Sequence, residues 1–308
     1  TKDGITYNFG NTGNKIFTGQ IKNFSSLFKD QSNFNADIGY WDTSKATTMS
    51  RMFMNASSFN QDISNWQLNN VTNINGMFQD SLVFNQDIRS WNISKGTKLN
   101  STFRGGAAFN QNLNSWDVSN VTRLDRTFLK AINFNSDLNS WDVSKVVSMH
   151  RTFAGAKTFN GNISSWNTES LRSLRRTFDG ARAFNQDISN WNVSNVTTME
   201  YMFAGAMSFN QPLNDWDTSE VITMRAMFLS ANEFNKNLDN LDTSKVTSMR
   251  DTFYGAAKFN NGAAAGVSNT LSWDVSKVTS TQSMFRLADA FNSNLSGWDL
   301  GEVTQMAS

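Results

Sequence analysis

A phenylalanine returns every 25 residues through this chain, at 34, 59, 84, 109, 134, 159, 184, 209, 234 and 259, and again at 291, 32 residues on. The residues between repeat with it. The segment FNQDISNWNVSNVTTMEYMFAGAMS, from Phe184 to Ser208, lands on a near copy of itself when shifted by one period either way. A fixed period of this size marks stacked coils, none of which buries its own apolar face without a neighbour. A chain of 308 residues would ordinarily divide into two compact domains. The repeat overrides that expectation, because a solenoid lengthens without enlarging its core. The predicted form is one elongated domain of about eleven coils, about 50 Å long at ordinary strand spacing. In it, 1–33 form an N-terminal capping coil and 34–308 the solenoid.

In the cap, Phe9 takes the opening phenylalanine position and Ile16 the later tryptophan position, with Ile21, Phe24 and Phe28 at the following apolar sites. Gly4, Gly10, Gly13 and Gly19 and the polar start suit an end that faces solvent. Each later repeat has two halves. In the first, Ile188, Trp191 and Val193 place Trp and Val on one face of an extended segment, with Asn190, Asn192 and Ser194 pointing away. This predicts a strand of about three to five residues. In the second, Val196, Met199, Met202 and Phe203 trace a helical stripe. Ser119, Ser144, Ser194 and Ser219 stand where helix N-caps would, and Gly155, Gly180, Gly205 and Gly255 where a C-terminal αL residue would. The expected fold class is therefore α/β: short parallel strands on one side of the coils and short helices on the other.

Two departures interrupt the pattern. Leu241 stands where other coils carry Trp, which keeps the site apolar. Seven extra residues fall within 261–272, and their small, Gly-rich character predicts a loop extruded from the solenoid edge. It reads as a tolerated surface insertion, or as a lip beside a binding site.

Composition removes several function classes. Lys plus Arg is 27 and Asp plus Glu 26, so no global field steers a charged partner. There is no cysteine, and the single histidine excludes paired-His zinc sites. No Walker-type glycine loop is present. No enzyme, cofactor or catalytic residue is expected. The start carries no signal-peptide pattern, no segment is long enough to span a bilayer, and the chain stops part-way through a repeat, as an excised fragment would.

Four columns of residues deserve weighing. The Asn after each Phe is expected to satisfy turn backbone as a buried ladder. The Trp column is expected in the core. The residue after Trp includes Asp117, Asp142, Asp217, Asp242, Asp274 and Asp299, which on a parallel sheet would stack as repelling carboxylates. Calcium would relieve that repulsion. The preferred reading is that each Asp accepts hydrogen bonds from nearby amides, because no dense calcium-loop motif is present. Finally Arg123, Arg126, His150, Arg151, Arg172, Arg175 and Arg176 gather on three consecutive predicted helices, with Lys130, Lys157 and Arg182 close behind. This local basic stripe is a candidate site for anionic glycans or headgroups, against the alternative of ordinary solvated arginines. Nucleic acid is not expected, since no exposed aromatics interleave with the stripe.

The FNQDIxxWDVSNVTxMxxMFxGA pattern, clearest over Phe109 to Met149 and Phe184 to Met224, resembles the BspA-like leucine-rich-repeat surface proteins, in particular their Trp-containing branch in mycoplasma lipoproteins. The resemblance covers roughly residues 15 to 308 and implies a right-handed, leucine-rich-repeat-like solenoid displayed extracellularly or at a cell surface. It implies adhesion, or protein or glycan binding, rather than catalysis. The alternative is a structural spacer or stalk without a ligand. A calcium-binding or ice- or mineral-binding array is less favoured, since regular Thr rows on a sheet are not expected. The open final coil also suggests end-to-end self-association.

Overall fold

The computed structural model describes residues 18–306. The repeating unit closes through a series of tight turns. In the coil 184–208 the N–H groups of Trp191, Val196, Met202, Ala204, Ala206 and Phe209 each donate to the carbonyl three residues earlier, at 2.8–3.3 Å. Successive coils stack in register, so that Thr198 lies between Ser173 and Thr223 in parallel bridges. The structure is a repeat solenoid.

The extended segment at Trp191 keeps the expected alternation, with Trp191 and Val193 buried and Asn192 exposed. It does not pair as a strand. Among the described residues parallel bridging is confined to isolated bridges, which fall seven residues later in the column Asn23, Thr48, Asn73, Lys98 and onward, apart from Thr270 with Asn294. Across the Trp segment side chains join the coils instead. The indole Nε1 of Trp191 donates to the Ile163 carbonyl at 3.2 Å, and Thr218 Oγ1 donates to the Asp242 carbonyl at 2.8 Å.

The predicted helices are absent among the described residues, which corrects the α/β assignment. Two successive β-turns, 199–202 and 203–206, occupy the place of each helix. They bury Met199, Met202, Phe203 and Ala206, which is the i, i+3, i+4, i+7 spacing of a helix face. Amide destinations separate the two structures. The N–H groups of Met199, Tyr201, Phe203 and Gly205 donate to Thr223, Arg225, Met227 and Leu229 of the following coil, at 2.6–3.3 Å. The third residue of each turn has positive φ (Tyr201 +55°, Gly205 +64°), as a type II turn requires. Gly155, Gly180 and Gly205 are thus left-handed as expected, but inside turns rather than as helix caps. Ser119, Ser144 and Ser194 likewise sit in turns, not at helix starts.

The core is three aromatic columns. Phe178 stacks on Phe184 with centroids 3.8 Å apart and on Phe203 at 5.8 Å, while Trp166 and Trp191 stand 5.9 Å apart. Leu241 is buried in the Trp column. At the N-terminal end, Phe24 and Phe28 are buried and Asn23 bridges Thr48, while Ile21 is exposed. The cap positions Phe9, Ile16, Gly4, Gly10 and Gly13 lie outside the described residues.

The asparagine ladder is present with a different exposure. From Asn35 to Asn260, the Oδ1 of each Asn accepts the N–H of the corresponding Asn one coil later, as in Asn160 to Asn185 at 2.8 Å. Most of these side chains are half-exposed or exposed rather than buried, and Asn260 is the buried exception. The insert is tied down there. Asn260 Nδ2 donates to the carbonyls of Ala264 (3.0 Å) and Val267 (2.8 Å), and buried Asn261 donates to Asp239 Oδ1 and the Thr270 carbonyl. Residues 264–268 are exposed, but the loop is clasped at its base rather than simply extruded.

Candidate functional site

Six of the seven basic-stripe residues lie on turns or at a bridge position and Arg172 directly before a bridge, none of them on a helix, and they divide into two groups. Arg126, Arg151 and Arg176 occupy the left-handed third position of the first β-turn in consecutive coils, each with φ of +58°. That conformation costs a non-glycine residue on the order of 1 kcal/mol. The coil-to-coil amide bonds hold it in place, as Arg126 N–H to the His150 carbonyl (2.9 Å) and Arg176 N–H to the Glu200 carbonyl (2.9 Å) show.

Arg123, His150, Arg172 and Arg175 gather near the bridge column around a hollow of about 380 Å³. This group is largely satisfied from within. Arg123 pairs with buried Asp125 at 2.8 Å, and Asp125 Oδ1 also accepts from Ser148 Oγ and the His150 N–H. Arg175 pairs with Glu200 at 2.7 Å, and Arg172 donates to the Ser170 and Leu171 carbonyls. Burial, then the cations of Arg151 and Arg126, push His150 below the usual imidazole range. His150 therefore adds no full charge to the stripe at neutral pH. Beside this group the bridge ladder skips from Lys98 to Arg123, two cations at adjacent rungs, over a hollow of about 290 Å³.

Of the left-handed group, Arg151 and Arg176 line a hollow of about 420 Å³ together with Arg104 and Lys130. Arg176 pairs with Asp179 at 3.0 Å, and its guanidinium lies 4.1 Å from the centroid of the Tyr201 ring. Burial, then Arg176 and Arg126, lower Arg151 from the usual guanidinium value, so three stacked cations oppose one another. Lys157 and Arg182 stand apart, exposed, one coil after another.

The Asp column is exposed, and each carboxylate serves its own turn. Asp117, Asp142, Asp217, Asp242 and Asp274 accept the N–H of the Ser two residues on, and Asp299 that of Gly301, at 2.9–3.1 Å. The hydroxyl of that Ser, then its N–H, holds Asp117, Asp142 and Asp242 below the usual carboxylate range. For Asp274 the Ser276 N–H leads and the hydroxyl follows. Repulsion from Asp142 acts on Asp117 in the opposite direction and more weakly. A second column of the same kind escaped the sequence reading: Asp62 and Asp187 accept from Ser64 and Ser189, each at 2.9 Å. The Asp-x-Ser spacing was its visible signal. Among the described residues, no three acidic or histidine side chains converge as metal ligands would.

These depressed carboxyls make stability pH-dependent. Their stabilising contribution is complete above the unfolded value of about 3.9 and is lost as pH falls through the lower folded values. The thermal midpoint is expected to decline slightly as pH falls through the ordinary imidazole range, where His150 resists protonation, and to drop further below about pH 4 as the carboxyls protonate. Asn keeps this turn without titrating, as Asn192 does with Ser194. A variant carrying Asp117→Asn, Asp142→Asn and Asp242→Asn should therefore show a shallower acid drop. An unchanged drop would remove these residues from the explanation.

A threonine row also emerges beside the bridges, contrary to expectation. Thr47, Thr72, Thr97, Thr197, Thr247, Thr279 and Thr304 are exposed, and each donates Oγ1 to a carbonyl of the preceding coil at 3.0–3.4 Å. Val147, Arg172 and Ile222 interrupt the row. The period made these residues findable, but the predicted helix concealed that they share a face.

No helix among the described residues is long and apolar enough to cross a membrane. No curated protein matches the chain. Among solved structures, it is similar to a chain of the crystal structure of the TLR13–ssRNA13 complex, at 13% identity and a TM-score of 0.30, over 78% of this chain and 38% of that one. It thus spans well under two thirds of that chain's length, and a likeness at this level carries no argument. The family model described as "Mycoplasma protein of unknown function, DUF285" matches residues 5–112, 86–182, 161–266 and 262–308. Those overlapping matches follow the repeats through nearly the whole chain, and the chain belongs to the DUF285 family of Mycoplasma repeat proteins.

Proposed function

We propose that the chain is a non-catalytic binding module that engages an anionic protein or glycan at a cell surface through its basic coils. The observation that carries this reading is local. A chain of net charge +1 concentrates Arg123, Arg126, Arg151, Arg172, Arg175 and Arg176 on three consecutive coils, against few acidic partners. A field confined to one stretch concentrates counter-ions there without making the whole molecule sticky. The resemblance to BspA-like surface proteins supports adhesion and a surface location. Repetition supplies multivalency, since a polymeric ligand touching several coils gains avidity without any single strong contact.

The test is a glycan and matrix-protein array probed with the parent and with Arg126→Ser/Arg151→Ser/Arg176→Ser. Ser26 and Ser101 occupy the same turn position in other coils with φ of +59° and +58°, so the backbone accepts the change. At about 1 kcal/mol per exposed charge contact, the triple variant is expected to bind roughly 100-fold more weakly. Parent binding should also weaken with added salt. Binding that survives in the variant but requires calcium would transfer the site to the Asp column. A parent that binds nothing on the array would leave the spacer reading, which the continuous phenylalanine stacking also suits.

A further inference from the structure

The hollow bounded by Arg104, Lys130, Arg151 and Arg176 differs from the rest of the basic surface in shape and in charge balance. Its floor is Ala154–Gly155. In the corresponding positions the preceding coil carries Leu129–Lys130 and the following one Asp179–Gly180. Small residues recur in this column, as at Ala204–Gly205, but here the gap they leave is ringed by Arg104, Lys130, Arg151 and Arg176. A Cβ added at Gly180 would meet nothing nearer than the Gly155 backbone at 3.7 Å, while one at Gly155 would meet Lys130 Cγ at 3.2 Å, so the lysine stem lies across the floor. Charge is unbalanced at the same place. Arg176 has Asp179, but Arg104, Lys130 and Arg151 make no ion pair among the described residues. Arg176 Nε is buried without a hydrogen-bond partner.

We propose that this hollow is a pocket for one tetrahedral oxyanion, a sulfate or phosphate ester group of the ligand. The proposal rests on the reading of the basic coils as the recognition side and names the group they would take. Guanidinium forks match the paired oxygens of such esters, and an ammonium adds a mobile point charge. An arriving oxyanion would relieve the mutual repulsion of Arg126, Arg151 and Arg176, whose effect on Arg151 is already evident. The carboxylate of Asp179 is the one opposing group, and it is engaged by Arg176. Its burial, the leading influence, favours the neutral acid and so softens that opposition.

Two variants separate a shaped pocket from a diffuse field. Ala154→Leu fills the hollow and leaves every charge in place, and Leu129 and Leu229 show that the column accepts leucine. Arg151→Gln removes the central cation and leaves the shape. Binding is measured by NMR titration of the full chain with glucose 6-sulfate and glucose 6-phosphate, then with dextran sulfate and unsulfated dextran. The small esters should bind the parent, and each variant should weaken them by roughly ten-fold or more, the value of one charge-assisted hydrogen bond. Preference for one ester identifies the source of the group. Full ester affinity in a folded Ala154→Leu variant, or no ester binding by the parent, overturns the pocket. If dextran sulfate still binds the parent, and binding is lost in the triple Arg→Ser variant, the broader basic-face reading stands although the pocket has failed. If dextran sulfate and the esters both fail to bind, both readings fall.

Discussion

Phe128→Ala is expected to cost about 3–5 kcal/mol, the range for deleting a fully buried aromatic ring. Phe128 stacks on Phe134 at 4.0 Å, on Phe103 at 5.6 Å, on Phe153 at 5.5 Å and against Trp141 at 6.1 Å. The site cannot close around the void. Phe128 N–H is held by the Thr152 carbonyl and Phe103 N–H by the Thr127 carbonyl, each at 2.9 Å, which fixes the distance between coils. The cost should therefore approach the upper end, as it does where surroundings relax poorly. In a one-dimensional stack, a weak interface at the centre also uncouples the two sides. Urea unfolding followed by circular dichroism should show a lower midpoint and a broader or split transition. The same change at half-buried Phe291, near the end of the described residues, should cost less and leave the transition single. A loss below about 1.5 kcal/mol at Phe128, with one sharp transition, would contradict this account of the core.

Asn260→Ala has the second largest expected effect. Asn260 is 0% exposed, whereas its counterparts Asn160 and Asn185 are half-exposed. Its Oδ1 accepts the Asn292 N–H at 2.8 Å and its Nδ2 holds the Ala264 and Val267 carbonyls. Alanine removes these three partners at once, with a longer bond from Ser293 Oγ at 3.4 Å. Each buried group left unpaired costs about 1–3 kcal/mol, and since Ala264 and Val267 lie in an exposed loop, about 3 kcal/mol is expected in total. Asn185→Ala, which removes the partner of the Asn210 N–H at a wetter site, should cost about 1 kcal/mol. The diagnostic is where the damage appears. Limited proteolysis should cut Asn260→Ala within 262–268, and hydrogen exchange at Asn292 should accelerate, with the coils before Phe234 unaffected. Equal stability of the two Asn variants would mean that the insert is not held by this side chain.

The period, the core columns and the one-sided alternation at Trp191–Val193 were legible because each follows from residue type and spacing alone. The helices were misread for a physical reason. Two consecutive β-turns bury Met199, Met202, Phe203 and Ala206 at a helix's spacing, and apolar periodicity carries no information about which carbonyl an amide reaches. A signal was available in the occupants of the left-handed position. Arg51, Arg126, Arg151, Arg176 and Tyr201 share a column with Gly76, and the next such column holds Gly105, Gly155, Gly180 and Gly205. Two glycine-bearing columns four residues apart sit poorly in a helix. The basic residues were legible individually, but their division into a self-paired group and an under-compensated group was not. That division depends on Asp125 and Glu200 facing one side and on the missing volume at Ala154–Gly155 on the other.

The indole bonds point one way along the molecule. From Trp66 onward each Trp donates to a carbonyl of the coil before it, as Trp116 does to Ile88, Trp141 to Leu113 and Trp166 to Leu138, and the Asn amides do the same. A ribosome releases the acceptor coil before it makes the donor coil. Every new segment thus meets the open carbonyls and Asn Oδ1 atoms of the coil before it and supplies the carbonyls that the turn amides of that coil still lack, while its contacts span only about one repeat of sequence. The molecule is built to be assembled during its own synthesis, one turn of the spiral at a time, with no need for the whole chain to be present before ordering begins.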